Sequence, residues 1–272
     1  MKNQAILQYF LPDRRNMKNN IQKTVDALKP IDDELFHKLA EDAGFCEEIL
    51  QVILKMPDLQ VIRAVPQKSL RNINGRSVIV DVLCKNSNGN YYNIEIQKKN
   101  DDDHQRRVRY NGSSVDTYIS EKGIKFKEIP DVYAVFISSF DYFGGQKTIY
   151  HVDRVLRETG DIVDNGFHEI YVNTEIDDGT DIAALMKVLK NHQLENDKRF
   201  PKVCSRIRYF KEGKGDSDMS DVVEEYAKEY AKEYAKDVVR EMIVLDLDDA
   251  LIQKATKLTL DEILSIRKEM KE

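Results

Sequence analysis

Three side chains near the middle of the chain are of the types that hold a divalent cation beside water: Asp81, Glu95 and Gln97. Glu95 and Gln97 lie in residues 90–98, NYYNIEIQK. Strand alternation there puts Tyr92, Ile94 and Ile96 on one face and Asn93, Glu95 and Gln97 on the other. Asp81 lies in residues 76–84, RSVIVDVLC, where Val78, Val80 and Val82 share a face and Asp81 falls between Ile79 and Leu83 on the opposite one. An aspartate in a strand that is apolar on both faces is costly unless it is paired or binds a metal. Between the two segments, Asn88-Gly89 is a strong hairpin signal, since both residues tolerate positive φ. Antiparallel pairing about that turn brings Asp81 and Glu95 close enough to share one cation. Two hard oxygen ligands, with waters completing the shell, suit Mg²⁺ or Mn²⁺. A plainer reading stands beside this one. Asp81 pairs with an arginine, and Glu95 and Gln97 form the solvated face of an edge strand.

The elements that must position these residues follow from periodicity. A helix starts at Asp32 or Asp33, either of which can cap it, and Phe36, Leu39, Ala40, Ala43, Leu50 and Leu54 recur along it at spacings of 3 and 4. Residues 59–67 are rich in β-branched side chains and read as a strand before the hairpin. After the hairpin, DDDHQRRVRYNGSSVDTY reads as a helix with aspartates at its N-terminus, where they oppose the helix dipole favourably. Residues 131–139, DVYAVFISS, form a near-continuous apolar run, as expected of a strand covered on both faces. A short strand over HEIYVNT and a helix over DIAALMKVLK come next. The order is helix, three strands, helix, strand, with further elements behind.

The chain has 272 residues, enough for one large core or one core and an appendage. A net charge of −6 argues against a protein that coats nucleic acid by charge alone, but not against an enzyme with local basic patches. No apolar run approaches the ~20 residues that span a bilayer, and residues 1–16 make no signal peptide, so a cytoplasmic protein without a membrane partner is expected. Cys46, Cys84 and Cys204 show no ligand spacing and read as buried reduced thiols. The five histidines likewise show none.

From about residue 213 the texture changes: a linker-like GKGDSD precedes three tandem copies of Glu-Tyr-Ala-Lys starting at Glu225. Their period of 4, close to 3.6, makes a drifting stripe of Tyr226, Tyr230 and Tyr234 beside an alanine row. That stripe has no obvious mate in the chain, so the helix over 218–243 is expected to mediate homo-oligomer formation. Two short helical patterns close the chain, the second opened by a capping box, Thr259 with Glu262. Three parts result: an arm over 1–31, a main domain over 32–212 and a helical extension over 213–272.

Val80-Asp81 followed by Glu95-Ile96-Gln97, after one helix and before a helix and a strand, resembles the D…ExK signature of PD-(D/E)XK nucleases. Further blocks carry the likeness: IDDELFHKLAED, NGRSVIVDVLC, YNIEIQ, HQRRVRYN and DVYAVFISSFD. Together they are similar to the Rpn branch (recombination-promoting nuclease, or putative transposase), in which ExQ replaces ExK. The likeness covers about residues 32–190, and ALIQKATKLTLDEI resembles that family's terminal segment. It implies an α/β (α+β) restriction-endonuclease-like core, a mixed central sheet flanked by helices, with a helical C-terminal extension. It implies a metal-dependent DNA endonuclease linked to recombination or mobile elements. Asp81, Glu95 and the backbone carbonyl of Ile96 would hold one or two Mg²⁺ or Mn²⁺, and Gln97 would orient the attacking water. Lys98 points to the opposite face of its strand and does not replace the missing lysine. Such nucleases often draw a further acidic ligand from the first helix; helical geometry selects Glu47, with Glu48 next if the helix is irregular at Gly44. Arg106 shares a helix face with Arg109 and with Tyr110, and the three are expected to meet DNA phosphates, with Lys68, Arg71 and Arg76 extending the patch. The alternative, motivated by Gln97 and the net acidity, is a non-catalytic DNA- or protein-binding scaffold that keeps the fold.

Overall fold

The β-branched runs assemble into a six-stranded mixed sheet of order β1-β2-β3-β4-β8-β5. Its strands are β1 (Val61–Leu70), β2 (Val78–Asn86), β3 (Tyr91–Gln97), β4 (Val132–Ser138), β5 (Ile149–Val152) and β8 (Phe167–Asn173). The computed structural model describes residues 27–71, 77–98, 100, 103–120, 122–212, 235–245 and 247–270. The hairpin forms as the Asn88-Gly89 signal requires, with Gly89 at φ 93° and β2 antiparallel to β3. β3, β4 and β8 run parallel, while β1 and β5 pair antiparallel to β2 and β8. β6 (Arg154–Val155) and β7 (Ile162–Val163) make a separate small hairpin in a stretch where the sequence shows no strand signal.

The helices are α1 (Asp33–Leu39), α2 (Ala43–Leu54), α3 (His104–Ile119), α4 (Asp181–Lys190) and α5 (Pro201–Lys211). The expected single first helix is two. It breaks after Ala40, because Asp42 leaves helical geometry to cap α2, its side chain accepting from the Phe45 N–H. α3 packs on β1, β2 and β4, where Val115 and Ile119 meet Leu70, Val78, Val80 and Leu83. The opposite parity of the central strands, Ile94, Val135, Ile137, Ile170 and Val172, is buried too. Both faces of the sheet are therefore covered, and the apolar run of β4 is explained. α2 packs on β1, α4 and α5. Leu28 and Ile31 are buried, and the Ile31 N–H donates to the Leu189 carbonyl.

Gly112 sets the height of α3 over the sheet. A Cβ there would come within 2.2 Å of the Phe167 ring, so the helix lies closer to β8 than any side chain at this position would allow. The three cysteines are buried and free.

The chain divides into two compact units, 26–215 being one and the C-terminal segment belonging to the other. In the latter, residues 235–244 are helical, followed by α6 (Asp249–Thr256) and α7 (Leu260–Glu269). Val239, Ile252, Leu258, Ile263 and Ile266 form its core. The Thr259–Glu262 capping box is present in full. Residues 1–26, which hold most of the expected arm, and Tyr226, Tyr230 and Tyr234 lie outside the described residues.

Candidate active site

In the β2–β3 ladder Val82 stands opposite Ile94 and Leu83 opposite Asn93, and the next step along that register sets Asp81 opposite Glu95. The backbone ladder stops there and a carboxylate takes over: Asp81 Oδ2 accepts from the Ile96 N–H at 2.8 Å. On the other side of β2, the β1 partners step from Pro66–Val82 to Lys68–Val80, leaving Gln67 across from Asp81 in the left-handed region at φ 46°. Val78 and Val80 pack with Leu83 against α3, although plain alternation would put Leu83 on the opposite face. The pleat therefore changes side at Asp81, which corrects the simple in–out reading of this strand. Such a local irregularity re-aims a side chain, here turning the Asp81 carboxylate toward the β3 backbone.

Glu95 lies beneath α3. Its Oε1 accepts from Asn93 Nδ2 at 2.9 Å and from Asn111 Nδ2 at 3.1 Å, the latter reaching down from the buried face of the helix. Burial first, and the Asp81 charge second, push the Glu95 carboxyl up to about 8, despite the lowering effect of those hydrogen bonds. Two carboxylates side by side, one of them holding its proton up to about pH 8, form a donor set short of positive charge. A divalent cation fits that need. Among the described residues no three His, Cys, Asp or Glu side chains gather into a metal cage. Two carboxylates plus a backbone carbonyl, completed by water and substrate oxygens, is the sparse donor set that Mg²⁺ tolerates.

Gln97 continues the line at the end of β3. Its Oε1 accepts from Arg107 Nη1 at 2.9 Å, and Arg107 Nη2 pairs with Asp103 at 3.3 Å. A guanidinium only donates, so Oε1 faces it and Nε2 becomes the donor end of the amide. Lys98 Nζ pairs with Asp32 at 3.2 Å and Asp33 at 3.4 Å, which ties β3 to the start of α1. Asp33 has its carboxyl raised by burial, with Lys98 opposing and the Asp81 charge adding to the rise. His37, one turn further along α1, faces the site as well. Its Nε2 is 3.8 Å from Asp81 Oδ1 and its Nδ1 lies 3.1 Å from Gln67 Nε2. An amide nitrogen facing Nδ1 makes that atom the acceptor and puts the ring proton on Nε2, toward Asp81.

Asp81, Glu95, Ile96 and Gln97 are thus brought together; the other expected ligands are not. Glu47 spends one oxygen on the Val61 N–H at 2.9 Å and the other on Lys202 Nζ, and Glu48 accepts from the Val203 N–H at 2.7 Å. Both clamp α2 to β1 and α5, so their role is in packing. Arg106 and Arg109 are exposed on α3 and Tyr110 is 37% exposed, all off its buried face, whereas Arg107 reaches Gln97. Arg107 and Asn111 were legible in principle. They stand at i,i+4 beside Val108 and Val115, on the side of α3 that the sheet must cover. His37, Gln67 and Asp33 carry no local signal, because only the fold places them near Asp81.

Searches of curated proteins and of solved structures return no significant match. A family model described as PD-(D/E)XK nuclease family transposase matches residues 45–236, a span that contains the whole hairpin and α3. The mixed six-stranded sheet and the Asp81–Glu95 placement agree with a restriction-endonuclease-like domain. The chain belongs to the PD-(D/E)XK nuclease family transposases.

Proposed function

We propose that this chain is a metal-dependent DNA endonuclease that hydrolyses phosphodiester bonds inside the cell, in the service of recombination or mobile elements. The observation that carries the reading is the Glu95 carboxyl, held opposite Asp81 and pushed up to about 8 with no side-chain cation against it among its hydrogen-bond partners. An arrangement so costly without positive charge is what a cation site requires. Asp81, Glu95 and the Ile96 carbonyl are the groups that would hold Mg²⁺ or Mn²⁺. When bound, such an ion lowers the pKa of water and offsets charge on the scissile phosphate.

The chain's own residues do the rest. The Ile96 N–H fixes Oδ2 of Asp81, and His37 Nε2 stands 3.8 Å from Oδ1. Asn93 and Asn111 fix Oε1 of Glu95 in the same way, and the Asp81 backbone N–H also donates to this carboxyl. Gln97 would orient the attacking water, and the Arg107 guanidinium bonded to its Oε1 brings a positive charge that an amide lacks. The role of base for the attacking water has no assigned side chain.

Incubation with supercoiled plasmid in Mg²⁺, Mn²⁺ or Ca²⁺ tests the reading. Nicking in Mg²⁺ or Mn²⁺, lost in Asp81→Ala, is expected; cleavage unchanged by that substitution removes the site. One observation favours the second reading, a binding scaffold: Gln97 stands where the wider superfamily has lysine. Calorimetry that shows no cation binding while DNA is still bound would select it. Self-association through the helical extension remains part of the proposal, and light scattering that finds a monomer with and without residues 213–272 removes it.

A further inference from the structure

Beyond the cleavage site, α3 carries a second feature along the same ridge. Gln97 meets Arg107 and Glu95 meets Asn111. Seven residues further, two turns on, Tyr118 lies on the same side of the helix. The Tyr118 ring holds Lys68 Nζ 4.8 Å from its centroid, and beside it Lys85 Nζ lies 5.2 Å from the Tyr91 ring. With Arg63 these side chains line a groove of about 100 Å³ floored by Leu83. It lies on the outer strand β1, its neighbour β2 and the end of α3.

Three cations converge there, and no carboxylate among the described residues pairs with any of them. In a chain of net charge −6, where Lys98 and Arg107 beside the carboxylates are already bridged to acids, that is a local field of the opposite sign. The tyrosine rings matter for a second reason. A cation over an aromatic face is held in place without being neutralised, so its charge stays available to an anion. Lys68 and Lys85 are half-buried, which limits the entropy lost when they engage a ligand.

Resting on the nuclease reading above, we infer that Arg63, Lys68 and Lys85, steadied by Tyr118 and Tyr91, form a seat for the phosphate backbone of the DNA that flanks the cut. Tyr118 lies about 10 Å along the helix axis from Asn111, at 1.5 Å per residue. At 3.4 Å per step of one strand, this is about three nucleotides from the carboxylates. Cations on such a groove meet phosphate oxygens rather than base edges, so it positions the strand without reading sequence. The exposed Arg106 and Arg109 lie on the other sides of α3 and are not part of this track.

The experiment is DNA binding in Ca²⁺ by fluorescence anisotropy, over a range of KCl concentrations, for the full chain and for the triple variant Arg63→Gln, Lys68→Gln, Lys85→Gln. Each neutralised phosphate contact contributes about 0.7–0.9 to the slope of log K against log salt. The triple variant is expected to lower that slope by about 2–3 and to leave Mn²⁺ binding at the carboxylates unchanged. Should the triple variant fail to fold, by circular dichroism, each single variant carries the same test with a decrement of about 1. Full retention of the slope overturns the seat. So does tight binding of inorganic phosphate that displaces no DNA, which would mark a pocket for a free anion. The two readings fail separately. A protein that cuts DNA in Mg²⁺ but keeps its slope in the variant loses the groove alone. One whose slope falls in the variant but that cuts with no metal loses the catalytic reading and keeps the groove.

Discussion

Replacing Glu95 by Gln is expected to stabilise the metal-free protein, and to do so only above about pH 5. The carboxyl has an ordinary value of 4.5 and stands at about 8 in the folded chain. Between those pH values the folded state holds a proton that the unfolded state has released, so wild-type stability falls as pH rises through the window and levels off above 8. At about 1.4 kcal/mol per pH unit the full span amounts to about 4–5 kcal/mol. Water that reaches the half-buried carboxyl reduces this to about 2–3 kcal/mol at pH 8. Glutamine does not titrate. Its Oε1 can keep both asparagine donors, and a neutral amide is not repelled by the Asp81 charge. The assay is urea or thermal unfolding in EDTA from pH 4.5 to 8.5. The two proteins should coincide at the acid end and separate by about 2–3 kcal/mol at pH 8, or about 4–12 °C for a unit of this size. With Mn²⁺ the order reverses, since a cation binds the ionised carboxylate. Wild-type affinity for it should rise up to tenfold per pH unit toward pH 8, one proton being released per ion bound. Parallel stability curves at every pH, or a variant less stable at pH 8 in EDTA, would refute the argument that burial beside Asp81 makes this carboxylate costly.

Other substitutions separate the roles of the neighbours. Arg107→Gln removes the donor that orients the Gln97 amide, and should lower kcat about 100-fold with little change in KM; Arg107→Lys should restore part of it, and an unchanged kcat would end the positioning role. Glu47→Gln should leave Mn²⁺ affinity as it is by calorimetry while lowering the urea midpoint, because both of its oxygens serve α5 and β1. Gly112→Ala should cost about 1–2 kcal/mol: the helix gains about 1 kcal/mol from alanine, but the Phe167 ring must move out of a 2.2 Å contact. Thr259→Ala should cost about 1 kcal/mol in the C-terminal unit alone, read from the lower-melting transition if the two units unfold separately.

Periodicity made most of the frame legible. The β-branched runs, the Asn88-Gly89 turn and the apolar stripe of α4 are local signals, and each element formed within a few residues of where its pattern lies. The first helix is the instructive departure. Its apolar spacing continues through Ala40 and Ala43, yet Asp42 prefers to cap, and a side chain that can bond its own backbone competes with the helix at that point. Alternation also misled at Asp81, where Gln67 opposite takes a left-handed φ of 46° and the pleat of β2 changes side. A period of two says nothing about a left-handed residue in a partner strand.

The amino-acid sequence alone determined that Asp81, Glu95 and Gln97 lie on strands joined by a tight turn, because turn chemistry and alternation act within a few residues. The tertiary structure decided which charges surround them. It spent Glu47 and Glu48 on α5, spent Lys98 on α1, chose Arg107 over Arg106 and Arg109, and brought His37 to Asp81. Long side chains reach whatever the packing of distant elements puts within about 3 Å, and that packing is a property of the whole core, absent from any short stretch of residues.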